Sequence, residues 1–163
     1  MVESVEQHYG NDGIVDRIVG ALTQSGFDME NLDPDVLAGA DEFHIGGREG
    51  TVHVASAINL ADGDALLDVG CGIGGAARYL AHTTGASVTG VDLTPEFIEA
   101  AIKLSDLVGM GGQVDFKVGS ATELPFMDNM FDAVTMLHVG MNIEDKNQLM
   151  RELARVCRSQ GTV

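Results

Sequence analysis

The chain has 163 residues, 45% of them hydrophobic, with 21 glycines, two cysteines and no tryptophan. Against 25 acidic side chains stand 9 basic ones, and the net charge of −16 excludes the basic surface that nucleic-acid or anionic-membrane binding requires. No apolar run reaches the ~18 residues of a bilayer span, and the acidic start Met1-Val2-Glu3-Ser4-Val5-Glu6 lacks the regions of a signal peptide, so a cytoplasmic location is expected.

Residues 1–60 are expected to form a helical cap or lid segment ahead of a core over 61–163. Ile14, Ile18 and Leu22 recur every four residues, with Asn11 or Asp12 placed to cap that helix and Gly26 to end it. A short helix is expected at Asp33-Pro34, then a glycine-rich loop over 41–50, a helix over 51–58 and a turn over 59–64. From residue 65 short apolar runs (65–69, 86–91, 113–118 and 131–137) alternate with helix-length segments (75–83, 95–108 and 144–158). Gly161-Thr162-Val163 reads as the start of a fifth strand. This alternation predicts an α/β, Rossmann-like fold, a mostly parallel sheet with helices on both faces. Cys71 and Cys157 have no metal-ligand spacing, so neither a metal site nor a disulfide is expected.

The most informative stretch is Leu66-Leu67-Asp68-Val69-Gly70-Cys71-Gly72-Ile73-Gly74-Gly75, an apolar strand running into a glycine turn and then a helix. Such a turn lets backbone and helix N-terminus approach a ligand closely. Asp92, at the end of the next strand and twenty residues after Gly72, is placed to accept hydrogen bonds from ribose hydroxyls. Gly70, Gly72 and Gly75 also satisfy G-x-G-x-x-G, so spacing alone allows a dinucleotide. Asp68 favours another ligand. A carboxylate there repels a pyrophosphate and suits S-adenosyl-L-methionine, which carries a sulfonium and an ammonium and no phosphate.

These segments, with Val91-Asp92-Leu93-Thr94, Gly119-Ser120-Ala121, Leu124-Pro125-Phe126 and Phe131-Asp132-Ala133-Val134, resemble the class I S-adenosylmethionine-dependent methyltransferases over about residues 60–163. Asp41-Glu42-Phe43-His44-Ile45-Gly46-Gly47 and the segment from His138 through Met141-Asn142-Ile143 to Lys146 are similar to a narrower branch, the sarcosine/dimethylglycine N-methyltransferases and quinone-biosynthesis methyltransferases. The resemblance implies that Gly70, Gly72 and Gly74 wrap the methionine end of the cofactor. It puts Asp92 on the ribose, Leu93 against the adenine, and Ser120 and Ala121 at the adenine edge. Ser120 stands where the family often has an acidic residue, which weakens the expected contact to the adenine amino group.

Methyl transfer from a sulfonium needs mainly an aligned acceptor and exclusion of water. His138, just past the fourth strand, is the candidate base, with packing on the cofactor as the alternative. His44 is a second candidate, closing over the site from the N-terminal segment, with an ordinary loop histidine as the alternative; Tyr9, as part of an N-terminal lid, is a third group able to reach the acceptor, with a mobile terminus of no function as the favoured alternative. No G-x-S-x-G, P-loop lysine motif or H-E-x-x-H occurs. The expected activity is therefore methylation of a small-molecule acceptor, by preference an amine. The alternatives are a piece that binds S-adenosylmethionine without catalysis and, less favoured, an NAD-dependent oxidoreductase. The family's sheet usually has seven strands, so four complete strands imply a core incomplete at its C-terminal side. The oligomeric state is not indicated.

Overall fold

The computed structural model describes residues 13–42, 44 and 46–163. The roles considered for Tyr9, Asn11 and Asp12 lie outside the described residues. Helix α1 (Gly13–Gln24) is followed by a 3-10 turn (Pro34–Leu37), the short α2 (Ala38–Asp41) and α3 (Gly47–Ala57). Then come β1 (Ala65–Val69), α4 (Gly75–Thr84), β2 (Ser87–Asp92), α5 (Pro95–Leu107), β3 (Val114–Val118) and β4 (Phe131–Thr135). A second 3-10 turn (Gly140–Asn142), α6 (Lys146–Val156) and β5 (Cys157–Thr162) complete the described chain.

The five strands form one sheet in the order β3-β2-β1-β4-β5, and every pairing is parallel. β1 is central, pairing Leu66 with Val88 on one side and with Ala133 on the other. It is buried from Leu66 to Val69, as a parallel strand covered on both faces must be. Successive side chains point to opposite faces. Leu66 and Val88 join an apolar cluster with Ile18, Leu22, Leu37, Leu80 and Leu104, whereas Leu67, Val69 and Val91 pack with Leu149, Leu153 and Val156 of α6. Helices thus cover both faces, and the helices of the first sixty residues share the first cluster.

The boundaries differ from the sequence reading at three places. The glycine-rich loop ends early, because α3 begins at Gly47 and not at residue 51; Gly46, at φ 94°, turns the chain into it. β4 stops at Thr135, where its ladder with β1 ends opposite Asp68, and not at residue 137. The last helix stops at Val156 because Cys157 is drawn into the ladder opposite Phe131, so the fifth strand begins at residue 157, where its start was expected at 161. Asp145 caps the start of α6, its carboxylate accepting from the Gln148 amide at 2.8 Å.

The side chain that ties these parts together is Arg78 of α4, which is 2% exposed. Its Nη2 donates to Asp41 Oδ2 at 2.7 Å and to the Ile73 carbonyl at 2.8 Å. Its Nη1 donates to the Ala101 carbonyl at 3.2 Å and to Ser105 Oγ at 3.0 Å. One guanidinium therefore joins the end of α2, the glycine loop and α5. Burial raises the Asp41 carboxyl and lowers the Arg78 guanidinium from their ordinary ranges, and in each case the partner's charge opposes the shift.

Breaking a buried ion pair by removing one partner leaves the other charge uncompensated and costs about 3–5 kcal/mol. Arg78→Ala is expected to lower the urea unfolding free energy by that amount at pH 7. A loss below ~1 kcal/mol, the range of exposed pairs, would show that the pair does not anchor the fold.

Candidate active site

The strand order reverses at β1, which lies between β2 and β4 although β2 follows it in sequence and β4 comes later. Parallel sheets bind ligands at such a reversal, outside the carboxyl ends of the strands. Here those ends open into a cleft of about 840 Å³. Gly70, Gly72, Asp92, Leu93, His138 and His44 are among the residues that line it.

The glycine turn divides into two parts. Gly70 (φ 75°) and Gly72 (φ 54°) line the cleft, held where the Gly70 and Cys71 amides both donate to the Val91 carbonyl at 2.7 and 3.1 Å. A Cβ on Gly72 would meet nothing within 4 Å, so the backbone there faces open space. On Gly70 a Cβ would lie 2.2 Å from Val139 Cγ2, so the chain leaving β4 packs directly on this glycine. Gly74, expected to wrap the methionine end, does not line the cleft. Its φ is 85°, and a Cβ there would come within 2.7 Å of the Phe116 ring and 2.8 Å of Arg78 Nη1. Packing around the buried guanidinium accounts for Gly74, as it does for Gly75, whose Cβ would meet the Asp41 carbonyl at 2.6 Å.

Asp92 is fixed by backbone amides on both of its oxygens, Oδ2 accepting from Gly72 at 3.0 Å and Oδ1 from Thr94 at 2.9 Å. Its carboxylate thus stands at the cleft with a set orientation. Leu93 beside it is 72% exposed and Phe97, one turn into α5, is 37% exposed, so two apolar side chains face the cleft. Ser120 and Ala121 also line it, and the Ser120 hydroxyl is engaged with Thr122, 2.8 Å from Thr122 Oγ1 and accepting from the Thr122 amide at 3.2 Å. The Leu124–Phe126 stretch that follows is clamped from α6. Glu152 Oε2 accepts from the Leu124 amide at 2.7 Å, and Arg155 donates to the Leu124 and Phe126 carbonyls at 3.0 and 2.7 Å.

His138 and His44, 94 residues apart in sequence, are brought together with parallel rings, centroids 5.3 Å apart and planes at 4°. His138 has φ 56°, a left-handed conformation in which His is several-fold enriched among non-glycine residues, and it turns the chain off the end of β4. The loop beyond it is held by Lys146, whose ammonium donates to the Gly140 and Ile143 carbonyls. His44 Nε2 lies 3.1 Å from Thr51 Oγ1, and the Thr51 hydroxyl donates to Glu42 Oε2 at 2.7 Å. Arg48 pairs with Glu42 at 3.0 Å and lies over the Tyr79 ring at 4.4 Å.

Sequence reasoning missed Glu42, Thr51 and Phe97 as site components. Glu42 and Thr51 were hidden by the glycines, which masked the start of α3. Phe97 carried a usable signal, since it opens the helix that follows the Asp92 strand end. Cys71 lines the cleft, and burial, reinforced by Asp68 and Asp92, pushes its thiol well above the ordinary range, which fits packing and not nucleophilic chemistry.

Asp68, expected to meet the cofactor's positive charge, is 2% exposed and not among the residues lining the cleft. Its Oδ1 accepts from Thr135 Oγ1 at 3.0 Å, and its Oδ2 is buried without a hydrogen-bond partner. Burial pushes its carboxyl up to about 6, against the opposing pull of Thr135 and His44. The unfolded chain gives up this proton near pH 4, whereas the folded chain keeps it to about pH 6. Stability is accordingly full below pH 4 and is lost as pH rises through 6, by about 3 kcal/mol. Asp68→Asn removes this loss, so its urea stability relative to the parent chain should rise between pH 4 and pH 7. Parallel pH profiles for the two chains would show that Asp68 does not titrate in this window.

Comparison with known proteins agrees with this geometry. The family model described as a methyltransferase domain matches residues 67–163, more than half of the chain. The probable chloroplastic tocopherol O-methyltransferase of Oryza sativa subsp. japonica is 45% identical over 91 residues, 56% of this chain and 25% of that protein. The methyltransferase GfsG of Streptomyces halstedii is 34% identical over 134 residues, 82% of this chain and 45% of that protein. Among solved structures, the Haemonchus contortus phosphoethanolamine N-methyltransferase 2, in complex with phosphomonomethylethanolamine and S-adenosylhomocysteine, superposes with a TM-score of 0.71 at 27% identity, covering 78% of this chain and 30% of that one. The chain spans less than half the length of these relatives. With a parallel sheet, a glycine turn after β1 and a ligand cleft at the strand reversal, the chain belongs to the methyltransferase-domain family, whose cofactor is S-adenosylmethionine.

Proposed function

We propose that this chain forms the cofactor-binding part of an S-adenosylmethionine-dependent methyltransferase whose acceptor is a small-molecule amine. The observation that carries the acceptor class is the charge of the cleft. Among the described residues its lining includes Asp92, Glu144 and Asp145 and no lysine or arginine. A cationic or neutral acceptor is attracted there, and an acceptor held through phosphate or carboxylate finds no cation. The same lining disfavours a pyrophosphate and with it the dinucleotide reading. Relatives named as N-methyltransferases include the ajmaline enzyme of Rauvolfia serpentina, 36% identical over 60% of this chain.

The residues present fit the cofactor. Gly72 offers bare backbone to open space, Asp92 is a pre-oriented carboxylate for two vicinal hydroxyls, and Leu93 and Phe97 are apolar surfaces for a flat ring. When bound, S-adenosylmethionine supplies a methyl group activated by its sulfonium. The protein's own work is alignment and proton handling. Asp92 holds the ribose end, Leu93 and Phe97 orient the base, and Ser120 and Ala121 close the opposite wall. An amine that arrives as an ammonium must shed a proton before its lone pair is available, and His138 is the group that takes it. His44, stacked on His138, limits its rotation and helps exclude water from that side.

Transfer of radiolabelled methyl to a cationic amine that carries neither carboxylate nor phosphate, in preference to glycine, sarcosine, dimethylglycine and quinone precursors, is the expected result. Transfer to a quinone precursor alone would overturn the amine assignment, and binding of S-adenosylhomocysteine with no turnover on any acceptor would favour a binding-only role. NAD binding without binding of S-adenosylhomocysteine would overturn the cofactor assignment itself.

Asp92→Ala should weaken S-adenosylhomocysteine binding, read by calorimetric titration, by roughly 10- to 100-fold, the worth of hydrogen bonds to a charged group. Unchanged affinity would refute the ribose role. His138→Ala should lower turnover by about 100-fold or more while leaving that affinity within a few-fold, as loss of a proton-transfer group does. Equal loss of both would identify His138 as a packing residue for the cofactor.

A further inference from the structure

Behind His44, whose side chain is 12% exposed, lies the Glu42 side chain, which is 0% exposed, with its Oε2 3.6 Å from His44 Nε2. Thr51 is also 0% exposed and stands between them. Counting hydrogens fixes the direction of this chain. The Glu42 carboxylate, paired with the Arg48 guanidinium at 3.0 Å, only accepts. The Thr51 hydroxyl has one hydrogen, and it is used toward Glu42 at 2.7 Å. Toward His44, 3.1 Å away, Thr51 Oγ1 is therefore an acceptor, and the hydrogen in that contact must sit on Nε2. Among the described residues, the groups around His44 include Glu42 before it, Thr51 of α3, Asp68 of β1 and the His138 ring beyond β4.

We infer that Glu42 and Thr51 are positioning residues that set the Nε2–H tautomer and the ring plane of His44, and through the parallel stack hold the His138 ring at its orientation in the cleft. This rests on the methyltransferase reading of the same cleft only for its effect on turnover, because the tautomer is a property of the protein alone. Without Thr51 Oγ1 in place, the hydrogen on Nε2 loses this acceptor and the ring plane loses one of its anchors. Neither Glu42 nor Thr51 lines the cleft, so both act through His44.

The test is nitrogen-15 NMR of the full chain labelled at histidine, with His44 assigned by the signal missing from His44→Gln. In the parent chain His44 should show the Nε2–H pattern. Thr51→Val should lose it and lower kcat/KM for the amine acceptor by about 5- to 10-fold, the worth of one neutral hydrogen bond, with S-adenosylhomocysteine affinity unchanged; Thr51→Ser should restore both. If Thr51→Val does not fold, Glu42→Gln serves, since the amide donates to Thr51, frees its hydroxyl toward Nε2 and moves His44 toward Nδ1–H. An Nδ1–H pattern in the parent chain, or an unchanged Nε2–H pattern in the variant that folds, would overturn the inference. Failure of the parent chain to bind S-adenosylhomocysteine would instead sink the methyltransferase reading and leave the tautomer result standing.

Discussion

The architecture depends on one buried cation. Arg78 is held by a carboxylate from α2, a carbonyl from the glycine turn, and a carbonyl and a hydroxyl from α5. A guanidinium suits this position because its planar set of donors satisfies several acceptors at once, and it stays charged where a lysine would readily lose its proton. The consequence reaches the cleft. Gly74 and Gly75 are glycines because a Cβ on either would strike the Arg78 or Asp41 atoms of this pair, and the turn so placed leaves Gly70 and Gly72 lining the cleft.

A second constraint is the distribution of charge. The chain is strongly acidic, and at least five of its nine cations are taken up by partners within the fold. Arg78 is buried, Arg48 bridges Glu42 and Tyr79, Arg155 clamps the Leu124–Phe126 stretch, and Arg158 pairs with Asp132. Lys146 is taken up by the carbonyls of the loop after β4. Among the described residues, the charged and titratable lining of the cleft consists of carboxylates, imidazoles and the Cys71 thiol. Asp68 lies behind this surface. Its burial holds it protonated further up the pH scale than an exposed carboxyl, so its effect on a cation in the cleft changes with pH.

Much of the fold was legible because parallel sheets leave a strong local record. The run at 65–69 and the start of the run at 131 are apolar because those strands are covered, the edge strand within 113–118 alternates apolar and polar residues, and the helix-length gaps between the runs are amphipathic. The errors fell where non-local pairing decided the boundary. Cys157 and Arg158 continue a helical pattern, and it is the ladder with Phe131 that pulls Cys157 into a strand. Gly46, Gly47 and Gly50 argue against helix, yet the buried contacts of Arg48 and Thr51 hold the first turn of α3 in place.

By itself the sequence determined the alternation of strand and helix, the glycine turn after β1, the carboxylate at the end of β2 and the histidine after β4. All of these are encoded over short stretches where periodicity and turn chemistry act locally. Only the tertiary structure decided which glycines line the cleft and which make room for Arg78, that Asp68 is buried, and that His44 lies against His138 with Glu42 and Thr51 behind it. Those outcomes join residues tens of positions apart, and no local pattern records which buried polar groups will meet once the sheet and its helices close around them.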